Sequence, residues 1–162
     1  MFKKIAMSAP VLALAFVSSA ALAVPQTHTV QVYADIPNAD FYVQPKDNDY
    51  VTKPQQLPWS NTTSKLEGIS REFKVKSSAA GSPAIKATLL DPAVISSGAD
   101  DIELEVKFNT VSLVVGSAED VVAAGAATSE IIAPLSITPI APSGGYKEGN
   151  YSGNVRVMFD AP

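Results

Sequence analysis

The sequence predicts an all-β protein, an antiparallel β-sandwich, and three observations carry that prediction. Apolar and polar residues alternate in many short runs, as strands with one buried face require. Pro, Gly, Asn and Asp fill the gaps between those runs, where turns belong. Helical periodicity is almost absent, so there is little from which to build a helical layer. The chain has 162 residues, 46% of them hydrophobic and 17% charged, which is a globular composition of about one domain's size.

Met1 to Ala23 places Lys3 and Lys4 before the apolar run Ala9 to Val17 and ends in small residues at Ala21-Leu22-Ala23. That order predicts a secretory signal peptide over 1–23, cleaved after Ala23, because the apolar run is too short to span a bilayer. The segment 24–37, VPQTHTVQVYADIP, follows as a strand. Val24, Val30, Val32, Ala34 and Ile36 share one parity with Gln26 and His28, and Thr27, Thr29, Gln31, Tyr33 and Asp35 take the other. Pro37 removes a ladder donor and stops the pairing. With its apolar face and its place at the start of the mature chain, this strand is expected to complete the sandwich of another copy of the protein. The remainder, 38–162, is the sandwich domain.

Within that domain Phe41 and Val43 alternate with Tyr42 and Gln44, giving a short strand before the Pro-punctuated stretch Pro45 to Pro58. Ile69, Arg71, Phe73 and Val75 share a parity. Arg71 is expected at an edge with its head group in water. Ile85, Ala87 and Leu89 form the next run, closed by Asp91-Pro92. Ile102, Leu104, Val106 and Phe108 against Glu103, Glu105 and Lys107 make the cleanest half-buried strand. Asn109-Thr110 then suggests a hairpin into Val111, Leu113 and Val115, although the pair lacks a glycine.

The Ala-rich stretch Val121 to Ala127 predicts a short helix capped by Ser117. Ile131, Ala133, Leu135 and Ile137 form another strand, placed at an edge or a bulge by Pro134 and Pro139. The last strand alternates Tyr151, Gly153, Val155, Val157 and Phe159 with Ser152, Asn154, Arg156 and Met158.

Several functions are excluded or disfavoured by residue type. There is no cysteine, so an exported chain must rely on burial and association rather than disulfides. A net charge of -4 disfavours nucleic acid and anionic membranes as partners. His28 is the only histidine, and it lies on a segment expected to leave its own subunit. No Ser-His-Asp or Cys-His site can be assembled around it, so no enzyme is expected. Asp47-Asn48-Asp49 and Asp100-Asp101 lack the spacing and closing Glu of a calcium loop and read as solvated turns. Trp59 and Tyr50 could line a sugar-binding surface, but a single Trp in a Pro-bounded loop reads first as a core plug. No cofactor or metal is expected.

The closing segment Gly149-Asn150-Tyr151-Ser152-Gly153-Asn154-Val155-Arg156-Val157-Met158-Phe159 resembles the last strand of alpha-type (class five) fimbrial major subunits, the family of colonisation factor antigen and cable pilins. The valine start, the Thr/Val strand with Asp35-Ile36-Pro37, Leu57 to Lys65 (LPWSNTTSK) and Ile85 to Pro92 (IKATLLDP) are similar too. The resemblance thus covers most of the mature chain.

It implies an incomplete immunoglobulin-like sandwich completed by a donated N-terminal strand. It further implies a homopolymer of identical subunits, a periplasmic chaperone, an outer-membrane usher, a tip adhesin and a host-cell surface receptor. The expected location is a fimbrium on the bacterial surface, reached through the periplasm. Burying Val24, Val30, Val32, Ala34 and Ile36 would contribute about 5 to 10 kcal/mol before ordering costs, enough for a tight joint. The groove walls are expected at Ile102 to Phe108 and at Tyr151, Gly153, Val155, Val157 and Phe159. The rival from another class is a monomeric secreted β-sandwich carbohydrate-binding module in which 24–36 pairs within its own chain.

Overall fold

A computed structural model describes residues 40–162. The predicted signal peptide and N-terminal strand, with Val24, His28, Val30, Val32, Ala34 and Ile36, lie outside the described residues. The elements are β1 (Phe41–Pro45), α1 (Asp49–Thr52), β2 (Trp59–Ser60), β3 (Lys65–Leu66), β4 (Ile69–Ser77), β5 (Ile85–Leu89), β6 (Val94–Ser96), β7 (Asp101–Phe108), β8 (Val111–Ser112), β9 (Ala118–Val122), β10 (Ile131–Pro139) and β11 (Val157–Asp160). The larger sheet runs β1-β4-β10-β7-β6, with β8 paired to β7, and the smaller runs β11-β5-β9. Among the described residues every strand pairing is antiparallel, and a parallel bridge joins Leu89 to Val115.

The alternation read in the sequence becomes the sandwich interior. Phe73 and Val75 of β4, Ile85, Ala87 and Leu89 of β5, and Leu104, Val106 and Phe108 of β7 all turn into one core. Phe108, fully excluded from solvent, meets Phe73 edge-on at 5.9 Å and Phe159 at 4.7 Å between ring centroids. Since Phe159 belongs to the smaller sheet, this ring fastens the two layers together.

The Asn109-Thr110 hairpin forms without glycine. Both residues adopt positive φ, 47° and 73°, the geometry that matches the twist of a two-residue hairpin. The Asn109 side chain donates to the Val121 carbonyl at 2.7 Å, which helps hold a conformation that a β-branched Thr110 disfavours. The strand leaving the turn is shorter than its alternation suggests. It pairs only through Val111–Ser112, after which Leu113 enters the core and Val115 moves away to bridge Leu89.

Four expectations need correction. Val121 to Ala127 is not a helix: Val121 and Val122 end β9, and Ala123 begins a turn closed by the Ala126 amide donating to the Ala123 carbonyl. The β5–β9 register slips between Ile85 and Lys86, so Val121 is an extra residue on β9. A bulge of this kind lets successive residues face the same way, and both valines are indeed 3% exposed. Ser117 caps nothing and donates to the Glu119 carboxylate instead.

β10 is not an edge but lies between β4 and β7. In an antiparallel ladder a residue's N–H and C=O face the same neighbour. The Pro134 carbonyl accepts from the Asn109 amide, so the donor that Pro134 lacks would point to where β7 has already turned away. Arg71 does sit where β4 is open on one side, since the pairing with β1 ends at Phe73 and Arg71 pairs only with Leu135 of β10, but its head group is held by protein rather than left to water. Its guanidinium donates to the Gln55 side chain at 2.8 Å and lies 5.3 Å above the Tyr50 ring. The final run, read as one strand from Tyr151, pairs as a ladder only over Val157–Asp160.

Candidate assembly groove

The larger sheet is only partly covered by the smaller one. Ile69 and Phe73 of β4, Leu135 and Ile137 of β10, Leu104 of β7 and Ile95 of β6 line a cleft of about 330 Å³. These positions share the core parity of their strands, yet Ile69, Ile95, Leu135 and Ile137 remain partly exposed. One bank is the Pro-punctuated segment, with Tyr50, Pro54 and Leu57. The other is the C-terminal segment, with Gly153 and Val155. The floor is apolar, and Arg71, pinned by Gln55 and Tyr50, is its charged wall.

The C-terminal segment reaches this bank by crossing from one sheet to the other. Ser152 exchanges reciprocal backbone hydrogen bonds with Ser96 of β6, at 2.9 and 3.0 Å, and further on the Arg156 carbonyl accepts from the Leu90 amide. Gly153 lies hard against β6: a Cβ built there would be 2.2 Å from the Val94 carbonyl oxygen and 3.1 Å from Ile95 Cα. Only a glycine allows so close a backbone approach. At the far end of the crossing the Arg156 guanidinium donates to Asp91, and this holds the Asp91 carboxyl below the ordinary aspartate range.

β11 then pairs with β5 alone among the described residues. Because Arg156 faces β5 with its carbonyl, ladder alternation turns the backbone groups of Val157 and Phe159 toward the outer edge. Their side chains meanwhile pack on the core. The strand therefore offers both an apolar wall and N–H and C=O groups that no described residue pairs. Asp160, at its end, holds a buried carboxylate oxygen with no hydrogen-bond partner among the described residues.

The structure brings Gly153 and Val155 together at the cleft, with Val157 and Phe159 next to them on β11. Tyr151 departs from this group and lines a separate cavity beside Trp59. Of the Ile102 to Phe108 strand, Leu104 reaches the cleft, whereas Val106 and Phe108 are sealed in the core. Sequence reasoning missed Ile95, Leu57 and Tyr50. Ile95 sits in a run too short to show alternation, and the other two lie in a Pro-punctuated stretch that carries no period.

Comparison with known proteins gives the geometry its context. The chain is similar in fold to the CooA pilin subunit from enterotoxigenic Escherichia coli, with a TM-score of 0.53 at 19% identity over 73% of this chain and 86% of that one. No curated protein sequence matches it. The model of the CS1 type fimbrial major subunit family matches residues 26–160. Spanning nearly the whole sandwich and most of the segment 24–37, that match identifies the chain as a member of the CS1 type fimbrial major subunit family.

Proposed function

We propose that the chain is the repeating subunit of an adhesive fimbria and polymerises head to tail by donor-strand exchange. The segment 24–37 of one subunit enters the apolar cleft of the next and pairs with the outer edge of β11. The observation that carries this reading is that edge: β11 presents backbone groups that have no partner among the described residues, beside a cleft whose floor is apolar. A strand with Val24, Val30, Val32, Ala34 and Ile36 on one face is the complementary shape, and strand addition to an exposed edge is a general mode of recognition.

An unfilled cleft of this kind is an aggregation hazard, which gives a periplasmic chaperone its role before exchange and an outer-membrane usher its role during it. A contact that joins two different surfaces head to tail does not close on itself and yields an open filament. A tip adhesin and a host-cell receptor complete the scheme.

The test is assembly. Val32→Asp or Ile36→Asp places an unpaired carboxylate in an apolar site and should abolish fibres while export continues. A synthetic peptide of residues 24–37 should rescue the stability of subunits that lack the segment. Wild-type fibre yield from either variant, or a stable monomer from the full-length chain, would refute the scheme.

A further inference from the structure

Trp59 does not plug the core. It is 48% exposed and stands at the start of the β2–β3 hairpin opposite Leu66. The Tyr146 ring meets it at 5.5 Å between centroids and 87° between planes, so two aromatic surfaces form a right-angled corner. That corner opens on a cavity of about 470 Å³ whose other apolar surfaces are Leu66 and Ile102.

The polar rim comes from the loop that follows β10. Lys147 is held by Asp100 at 2.6 Å and keeps further N–H donors free. Glu148 makes no hydrogen bond or ion pair with the described residues and can accept. The Tyr151 hydroxyl donates to the Lys147 carbonyl at 3.2 Å, which fixes the loop against the cavity.

We infer that this corner is a saccharide-binding site for a neutral pyranose. A sugar ring has an apolar C–H face and a hydroxylated rim, and the cavity offers an indole face for the first and an ammonium and a carboxylate for the second. The size suits one or two sugar units, at the smaller end of the usual range of about 300 to 1,000 Å³ for ligand sites. Charge selects among sugars. Asp100 neutralises Lys147, and the exposed Glu148 on the cavity rim leaves a negative excess that repels sialic or sulfated residues. A single shallow site of this kind binds weakly. Repetition along a fibre converts weak sites into avidity, which can exceed single-site affinity by roughly 10²- to 10⁴-fold; that amplification, and the use of fibres below, rest on the polymer reading above.

The chain contains one tryptophan, so the emission of assembled fibres reports on this site directly. Fibres are titrated with methyl β-D-galactopyranoside, methyl β-D-glucopyranoside and N-acetylneuraminic acid. The expected result is a saturable change in Trp59 emission with a neutral glycoside at millimolar concentration and none with the acid. Tyr146→Ala should weaken the neutral response about tenfold. Fibres of Trp59→Ala should lose adhesion to a surface coated with that glycoside, and Trp59→Phe should retain part of it.

Emission unmoved by both neutral glycosides would overturn the inference. So would fibres in which acrylamide cannot quench Trp59, since a neighbouring subunit would then occupy the cavity. An equal response to N-acetylneuraminic acid would overturn the charge argument. Microscopy of the same samples scores assembly separately, so loss of sugar binding in normal fibres counts against this site alone.

Discussion

Replacing Gly153 by alanine tests the crossing of the C-terminal segment most directly. The added methyl would lie 2.2 Å from the Val94 carbonyl oxygen, more than an ångström inside ordinary contact, and the obstacle is backbone on a paired strand. Relief requires the segment to lift from β6. That breaks the two Ser96–Ser152 bonds, worth about 1 kcal/mol each, and strips part of the packing of Val155, worth about 1 to 2 kcal/mol more. The sum, about 3 to 4 kcal/mol, is a large fraction of a domain's stability and corresponds to a fall in Tm on the order of 10 °C.

Thermal unfolding by circular dichroism, with the subunit held in complex with a synthetic peptide of residues 24–37, measures it. Gly149→Ala, whose methyl would meet Ser97 Cβ and the Tyr151 ring at 3.3 Å, should cost much less. Gly144→Ala, with nothing within 4 Å, should cost almost nothing. A Gly153→Ala protein that melts with the Gly144→Ala control would refute the close approach and the account of the groove bank built on it.

Three further outcomes are expected. Thr110→Gly should stabilise the subunit by about 0.5 to 1 kcal/mol in denaturant titrations, because a β-branched residue at φ 73° is strained by more than the glycine's added chain entropy. Asn109→Gly should not, since it loses the bond to Val121. Val157→Asp should destabilise by about 2 to 4 kcal/mol and lower the amount of subunit recovered from the periplasm, because β11 turns this position onto the core. Normal recovery would remove the strand from the groove wall.

Acid should loosen the crossing through Asp91, whose carboxyl is held below its ordinary value by the Arg156 hydrogen bond. A depressed folded-state pKa means that this contribution is complete above the unfolded carboxylate range and is lost as pH falls through the lower folded value. Arg156→Ala should flatten that part of the stability profile, and an unchanged acid limb would contradict the assignment.

Strands buried on one face were legible because their alternation is the physical consequence of half-burial. β4, β5 and β7 are plain in Phe73-Val75, Ile85-Ala87-Leu89 and Ile102 to Phe108. β9 misled because the alanines that follow it, Ala123, Ala124, Ala126 and Ala127, have high helix propensity, while the bulge at Val121 erases the alternation that would have marked a strand. β10 misled because Pro134 and Pro139 suggest an edge, and only the three-dimensional pairing shows a missing donor falling where a neighbour has turned away.

The same division holds at the groove. Val155, Val157 and Phe159 could be read from parity. Ile95 and Leu57 could not, since a three-residue strand and an irregular segment have no period. Trp59 was read on the wrong side of the surface because one apolar residue beside a proline, in a stretch without alternation, carries no sign of whether anything covers it.

Among the described residues β11 pairs with β5 alone, and this also sets how the subunit bears force. Hydrogen bonds in an antiparallel ladder run perpendicular to the strands. A pull along β11 therefore shears its bonds to β5 together, whereas a pull across it would open them one after another, as a zip opens. The crossing at Ser152 adds an anchor in the opposite layer, so stretching along the strand engages both sheets at once. The molecule should yield at low load when β11 is peeled sideways and at much higher load when it is drawn lengthwise. Optical-trap extension of subunits tethered in the two geometries would measure that anisotropy.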